Sequence, residues 1–569
     1  MIKKLAIFVV SIIMWMPCND IFAAVEADTT EIGNIPKVVG EDVTNVPIAK
    51  GIAGLWKTSG QISVKKSDVI WYGKDVLAVN YWLQKSNDSV QLDYSLAKDH
   101  PVSERLRFWI KSDGSCSDLE VLCYHTLSKS WISLATIKLN SSQWLHLEIP
   151  ASNPLYQYYS SVTAFRFVVS NKENVRDFGE KQLLFSGMEL VNPVVVERPL
   201  QNRPVASPVF DTWGGPSRQQ FLDSKPVGTT VHLAPIGFFG DTPVPQRVDY
   251  ALKAVKWAGE AGIGAGIQFY GHPGKWIESH PEMFPKNQEG KIQRDVHSGG
   301  TFTSPWNPQA KTLWRQHIID CLNYLKDNNS LKDVQVVQLC PGEECELCFH
   351  WTGVWAFDDY AIKDYRTYLK EFYRNDVARL NQDWGSSHSD FNDILPPGDY
   401  YPDRSHWVFT DFYRLSMLRY CVFLADSVKE VFTPKYWLWM THTLPRYPER
   451  FNSARYAIFY AENLRRLGYI DYAQIAALDW QGVEDVQYLQ SLAGLKVIGE
   501  IDVQPTEERL KWTFEQCKKF GTDGVFIGVL EPLSSEGRLT ALGKTGQQLI
   551  RGFTSGVSEG KEVSGRKMN

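Results

Sequence analysis

From Gly51 to about Pro193, hydrophobic and polar positions alternate in short runs. Examples are Val76-Leu77-Ala78-Val79-Asn80-Tyr81, Arg105-Leu106-Arg107-Phe108-Trp109-Ile110, Trp144-Leu145-His146-Leu147-Glu148-Ile149 and Ala164-Phe165-Arg166-Phe167-Val168-Val169. Turn chemistry such as Lys111-Ser112-Asp113-Gly114 and Ser141-Ser142 separates them. Short period-two runs with no long helical pattern predict an antiparallel β-sandwich, jelly-roll-like, over residues 51–195.

After Pro199 and Pro204 the rhythm changes. Strand-like runs at Val209–Trp213, Val231–Ile236, Gly264–Phe269, Val334–Leu339, Trp437–Met440, Tyr472–Ala477, Val497–Glu500 and Gly524–Val529 alternate with stretches apolar at helical spacing. Those stretches are Asp249–Gly259, Lys311–Leu325, Ala361–Tyr373, Tyr413–Val431, Asn452–Leu467, Val483–Leu492 and Thr506–Phe520. Repeated β-then-α order with eight strands predicts a parallel (β/α)8 TIM barrel over 205–555, with its site at the C-terminal strand ends.

Outside these two regions the chain reads differently. Met1-Ile2-Lys3-Lys4, the apolar stretch Leu5–Trp15 and the small residues Ala23-Ala24 have the layout of a signal peptide over 1–23, so export to the periplasm or beyond is expected. Bulky Trp15-Met16-Pro17 ahead of Cys18 argue against lipid attachment there. Residues 24–50 are polar and read as a linker, and 556–569 as a polar tail. No later run reaches the roughly 18 apolar residues of a membrane helix.

Composition narrows the partner. Sixty basic residues against 65 acidic ones give a net charge of −5, which argues against a nucleic-acid footprint and leaves a neutral partner such as sugar. Twenty Trp and 25 Tyr can supply rings for sugar stacking, although most rings in any protein are core. A chain of 569 residues is expected to split into two domains.

Two glutamates carry the chemistry. Glu343 follows the Val334–Leu339 run through Pro341-Gly342, and Glu500 ends the run that begins at Leu495. Counting strands, they fall after the fourth and at the end of the seventh. Two carboxylates at one end of a barrel are the equipment of a retaining glycosidase, with Glu343 as acid/base and Glu500 as nucleophile. Glu344 is the alternative acid/base. Glu531, past the eighth strand, is a substrate-contact candidate, as are His272, Trp276, Trp306, Trp351, Trp439, His442 and Trp480 in the loops and strand ends on the same side.

The pattern resembles the clan of retaining glycosidases built on this barrel, and within it the β-galactosidases of glycoside hydrolase family 42. The stretch His272-Pro273-Gly274-Lys275-Trp276 through Pro281-Glu282-Met283-Phe284, then Asn287-Gln288-Glu289-Gly290, is similar to that family's third-strand loop. Tyr365 to Tyr373, followed by Leu380-Asn381-Gln382-Asp383-Trp384-Gly385, is similar to its helix-and-turn motif after the acid/base. The N-terminal pattern resembles jelly-roll carbohydrate-binding modules. One departure stands out: the family has Asn directly before its acid/base glutamate, and this chain has Gly342.

Cys345-x-x-Cys348 has metal-ligand spacing, with Cys321 or His350 as further donors, and family 42 enzymes that carry structural zinc resemble this. In an exported protein a disulfide or free thiols are the preferred reading, and Cys116 could pair with Cys123. No cofactor or catalytic metal is expected. The sequence therefore reads as an exported glycoside hydrolase cleaving β-glycosidic, galactoside-type bonds of a poly- or oligosaccharide. The alternatives are an endo-acting galactanase of agarase or carrageenase type and a glycan-binding protein with a degenerate barrel.

Overall fold

In the computed structural model the N-terminal region consists of strands β1 (Val38–Asn45), β2 (Trp56–Ser59), β3 (Ile62–Trp71), β4 (Lys74–Leu83), β5 (Ser89–Pro101), β6 (Arg105–Ser112), β7 (Ser117–His125), β8 (Ser130–Leu139), β9 (Trp144–Pro150), β10 (Ser161–Ser170) and β11 (Gly179–Val195). The structure describes residues 38–559 apart from 46–55, 72–73, 85–87, 102–104, 115–116, 126–129, 140–141, 151–160, 171–178, 196–208, 212–217, 219–221, 223–227, 239, 241, 271–275, 293, 295–301, 343–346, 348, 350–352, 399–402, 442–456, 476–489, 491–494, 502–505, 529–533 and 536–537.

The strands form two antiparallel sheets. One runs β3-β4-β11-β6-β9, with β1 paired to β11; the other runs β2-β5-β10-β7-β8. Alternation along each strand turns one set of side chains into a common core. Leu77, Val79, Tyr81, Phe108 and Phe185 from the first sheet meet Leu92, Val121, Phe165 and Phe167 from the second, with Phe108 and Phe167 rings 5.8 Å apart. Cys123 lies in this core as a free thiol, so the anticipated pairing with Cys116 is not made; burial pushes its thiol up to about 12.

The barrel follows as β12 (Val209–Asp211), β13 (Val231–Ile236), α1 (Val244–Ala261), β14 (Gly264–Phe269), α2 (Pro308–Asp327), β15 (Val334–Leu339), α3 (Asp359–Phe372), α4 (Val377–Trp384), α5 (Arg404–Lys429), β16 (Tyr436–Thr441), α6 (Ala457–Arg466), β17 (Tyr472–Ile475), β18 (Lys496–Ile501), α7 (Glu507–Phe520), β19 (Gly524–Ile527) and α8 (Ala541–Glu559). Strands β12 to β19 pair in parallel and close, β19 against β12. Helix starts are marked by side-chain caps: Asn307 on α2, Asp358 on α3, Asp376 on α4, Asp403 on α5 and Thr506 on α7. Gly262 and Gly521 end α1 and α7 in the left-handed conformation that favours glycine.

Two expectations change. The stretch read as a linker over 24–50 contains β1, which pairs with the second half of β11 from Val38↔Val195 to Asn45↔Glu189. Helix α8 continues to Glu559, into the stretch read as a polar tail. The sheets and the barrel each keep a hydrophobic core of their own within one compact unit, Lys37–Asn569. The anticipated signal peptide lies outside the described residues, as does all of the anticipated helix Val483–Leu492 except Gln490. Among the described residues, no helix is long and apolar enough to cross a membrane.

The union is chemical. Strand β6 is buried on both faces: Leu106, Phe108 and Ile110 point into the sheet core, while Arg105, Arg107 and Trp109 point out toward the barrel. Glu148 on β9 receives Arg105 at 3.2 Å, Arg107 at 3.2 Å and Arg404 of α5 at 2.9 Å. Arg105 also reaches Asp411 at 3.1 Å, and the Trp407 indole donates to the Glu148 carbonyl. His146 stacks on Trp109 and bonds the Asp383 carbonyl; burial holds its imidazole down at about 4.

Candidate active site at the barrel mouth

The pairing register sorts inward side chains into layers contributed by alternate strands. Val231, Val336, Tyr472 and Gly524 form the lowest; Phe210, Gly266, Leu438 and Ile498 the next; Leu233, Gln338, Gln474 and Phe526 the third. Eight of these are one apolar cluster. Gly266 leaves the room that packing needs: a Cβ there would stand 2.4 Å from Leu233 Cδ2 and 3.2 Å from Val336 Cβ.

Glu500 lies one layer higher, at the C-terminal end of β18, with the same inward parity as Ile498 and at the level of Gln268 and Met440. It is half-buried, whereas Ile498 below it is fully enclosed. The barrel thus changes from apolar to polar just where the mouth opens. Gln268 donates to Gln338 at 2.8 Å, and Gln338 donates to Gln474 at 3.0 Å, all three nearly or wholly buried. Sequence reading passed over these amides. Their signal was present, since each is a lone polar residue at inward parity near the end of an apolar strand.

Glu343 and its alternative Glu344 lie outside the described residues. The described residues on either side belong to the mouth: Pro341 and Gly342 continue from the end of β15, and the Leu347 N–H donates to the Met440 carbonyl at 2.9 Å, near the end of β16. His272, Trp351, His442, Trp480 and Glu531 also lie outside the described residues, as do Cys345, Cys348 and His350.

Three of the rings anticipated as sugar platforms are described. Trp276 opens a single helical turn after β14 and is half-buried, stacked on His280 with centroids 4.1 Å apart and edge-on to Phe238. Trp306 is only 4% exposed, packed parallel to Phe349, Phe412 and Tyr413. Trp439 is fully enclosed on the outward face of β16, and its indole donates to the Tyr469 carbonyl. Trp306 and Trp439 therefore serve packing instead of ligand contact. Parity explains Trp439: Leu438 takes the inward position, so Trp439 must face the helices.

A second chain of polar groups is close to the barrel but outside its lumen. His232 bonds Asp211 through Nδ1 and lies 3.2 Å from the Tyr250 hydroxyl through Nε2, while Thr229 donates to Asp211 at 2.7 Å. Asp211, His232 and Thr229 are closed from solvent, and Tyr250 on α1 is partly buried, so the acid–histidine–tyrosine order here ties helix to strand. Cys321 is a free, buried thiol within α2, 3.4 Å from His317 Nδ1, and among the described residues no cluster of His, Cys, Asp and Glu could hold a metal ion.

No protein-family model and no curated protein matches this chain. Among solved structures, the catalytic domain of β-amylase from Paenibacillus polymyxa aligns with a TM-score of 0.51 at 15% identity, over 63% of this chain and 100% of that one. β-Galactosidase from Bacillus circulans sp. alkalophilus aligns with a TM-score of 0.46 at 13% identity, over 61% of this chain and 56% of its own length. A GH42 β-galactosidase from G. stearothermophilus gives 0.46 at 12%, over 63% and 58%. The β-amylase likeness shows the fold, an eight-stranded parallel barrel.

Proposed function

We propose that this protein is a glycoside hydrolase that cleaves β-glycosidic bonds of a poly- or oligosaccharide with retention of configuration. The observation that supports the reading best is the position of Glu500: an inward carboxylate at the C-terminal end of the seventh strand, half-buried above a polar layer. In the proposed cycle Glu500 attacks the anomeric carbon and forms a glycosyl-enzyme. Glu343 protonates the departing oxygen and then takes the proton of the incoming water, so the two carboxyls are expected about 5–5.5 Å apart. Trp276 remains the described ring best placed for sugar contact. The two N-terminal sheets are taken as a jelly-roll-like sandwich of carbohydrate-binding type, and the basic, apolar start of the chain as an export signal. Galactosides are the first substrates to try, from the resemblance of residues 264–396 to family 42.

One observation favours a second reading, a glycan-binding protein with a degenerate barrel. Gly342 stands where the family's asparagine would orient the sugar. The test is sugar release from a panel of β-linked glycosides and galactan-type polysaccharides by the wild type and by Glu500→Gln. The glycosidase reading requires release by the wild type and its loss in the variant; retention of glycans without release by either supports the binding protein.

A further inference from the structure

We propose that the outward face of the six-stranded sheet at Trp82 is a second carbohydrate-binding site, separate from the barrel mouth. Strand β4 turns Leu77, Val79, Tyr81 and Leu83 into the core, which leaves Asn80 and Trp82 facing out. Trp82 is 46% exposed although it lies within a sheet, between β3 and β11. Its backbone N–H donates to the Gln61 carbonyl at 2.9 Å, and Glu180 is its partner across β11. One row away, Asn80 pairs with Ser63 and Gln182, and the Gln182 amide donates to Asn80 Oδ1 at 2.9 Å. Gln61, Ser63, Asn80, Trp82 and Glu180 line a shallow depression of about 270 Å³.

The chemistry of that lining selects the occupant. An exposed indole offers a flat apolar surface to the C–H face of a pyranose, and amides, a hydroxyl and a carboxylate around it accept and donate to sugar hydroxyls. No lysine or arginine lines the depression, which disfavours a phosphate- or sulfate-bearing polymer. The volume suits one or two sugar units of a chain. The same sheet is fixed to the barrel at β6 and β9, so a bound chain would be held in constant relation to the barrel mouth. The choice of a neutral polysaccharide as occupant rests on the glycosidase reading.

The test is affinity electrophoresis of the full-length protein through gels containing soluble β-galactan, galactomannan, xylan or mixed-linkage β-glucan. Wild type and Glu500→Gln should be retarded by at least one of them. Trp82→Ala should weaken that retardation about tenfold or more, and Trp82→Phe less. Hydrolysis of small aryl β-glycosides should stay within about twofold of wild type in both Trp82 variants, because such substrates reach only the barrel. Retardation unchanged in Trp82→Ala, or absent from every gel, overturns the site. An inactive protein retarded through Trp82 would overturn the glycosidase reading alone, and an active one with no Trp82-dependent retardation would overturn this site alone.

Discussion

Arg404, at the start of α5, donates to Glu148 on β9 at 2.9 Å, and the two side chains are 3% and 0% exposed. The bond joins barrel to sheet. Burying such charges costs more than one contact returns, and here the cost is offset by sharing: Glu148 meets three guanidiniums, and Arg404 also reaches Asp383 at 2.8 Å. Burial works to raise the Asp383 carboxyl, but Arg404 and His146 outweigh it and hold it below the ordinary value.

Removing Glu148 would leave those guanidiniums buried without their shared partner. Glu148→Ala should cost about 3–5 kcal/mol in chemical denaturation. Near-ultraviolet and far-ultraviolet signals should shift together, because sheets and barrel are one unit. A barrel that melts at its original midpoint would show the sheets to be a passenger.

Acid should destabilise the protein before its carboxylates titrate. Burial lowers His146 to about 4, and His317 and His406 to about 3, from an ordinary 6.5. Below pH 6.5 the unfolded chain takes up protons that the folded chain refuses, so stability falls as pH drops toward 4. Asp358 opposes this: burial raises it from 3.8 to about 6, so its contribution is present below 3.8 and lost as pH rises through 6. Burial also raises Asp364, Asp403 and Asp426, which act in the same direction as Asp358. The three histidines, with the larger displacements, outweigh these carboxyls, and the melting temperature should decline from pH 6.5 to pH 4.5. His406→Phe should flatten the decline. A flat or rising profile for the wild type would contradict the assignment.

The amide chain under the mouth predicts an asymmetry along one strand. Gln338→Leu removes the acceptor for Gln268 and the donor for Gln474, and should cost about 1–3 kcal/mol. Gln335→Leu, on the exposed side of the same strand, should change stability by no more than about 0.5 kcal/mol. Urea titration of the two variants compares them directly.

The barrel was legible because its signal is local. Val231–Ile236, Gly264–Phe269 and Val334–Leu339 carry strand bounds that match the apolar runs residue for residue, and β16 and β18 run one residue further at each end than the runs suggested. The sheets were less so. Runs around Val76, Arg105, Trp144 and Ala164 were visible, but β1, β3 and β7 mix polar with apolar residues and gain their strand state from neighbours. Arg105 and Arg107 alternate like solvent-facing residues, yet they are buried against α5, which no local pattern announces. At the site, strand order and parity brought out Glu500. Trp439 was misread because a ring near a strand end faces the lumen or the helices according to a single residue of register.

The most direct test of the central claim is chemical rescue at Glu500 on an aryl β-glycoside that the wild type hydrolyses. Glu500→Ala should lower turnover by about 10⁴-fold, since a nucleophile is lost, and added azide should restore it while producing the α-glycosyl azide. Turnover within about tenfold of wild type, or an azide product of β configuration, would show that Glu500 is not the nucleophile.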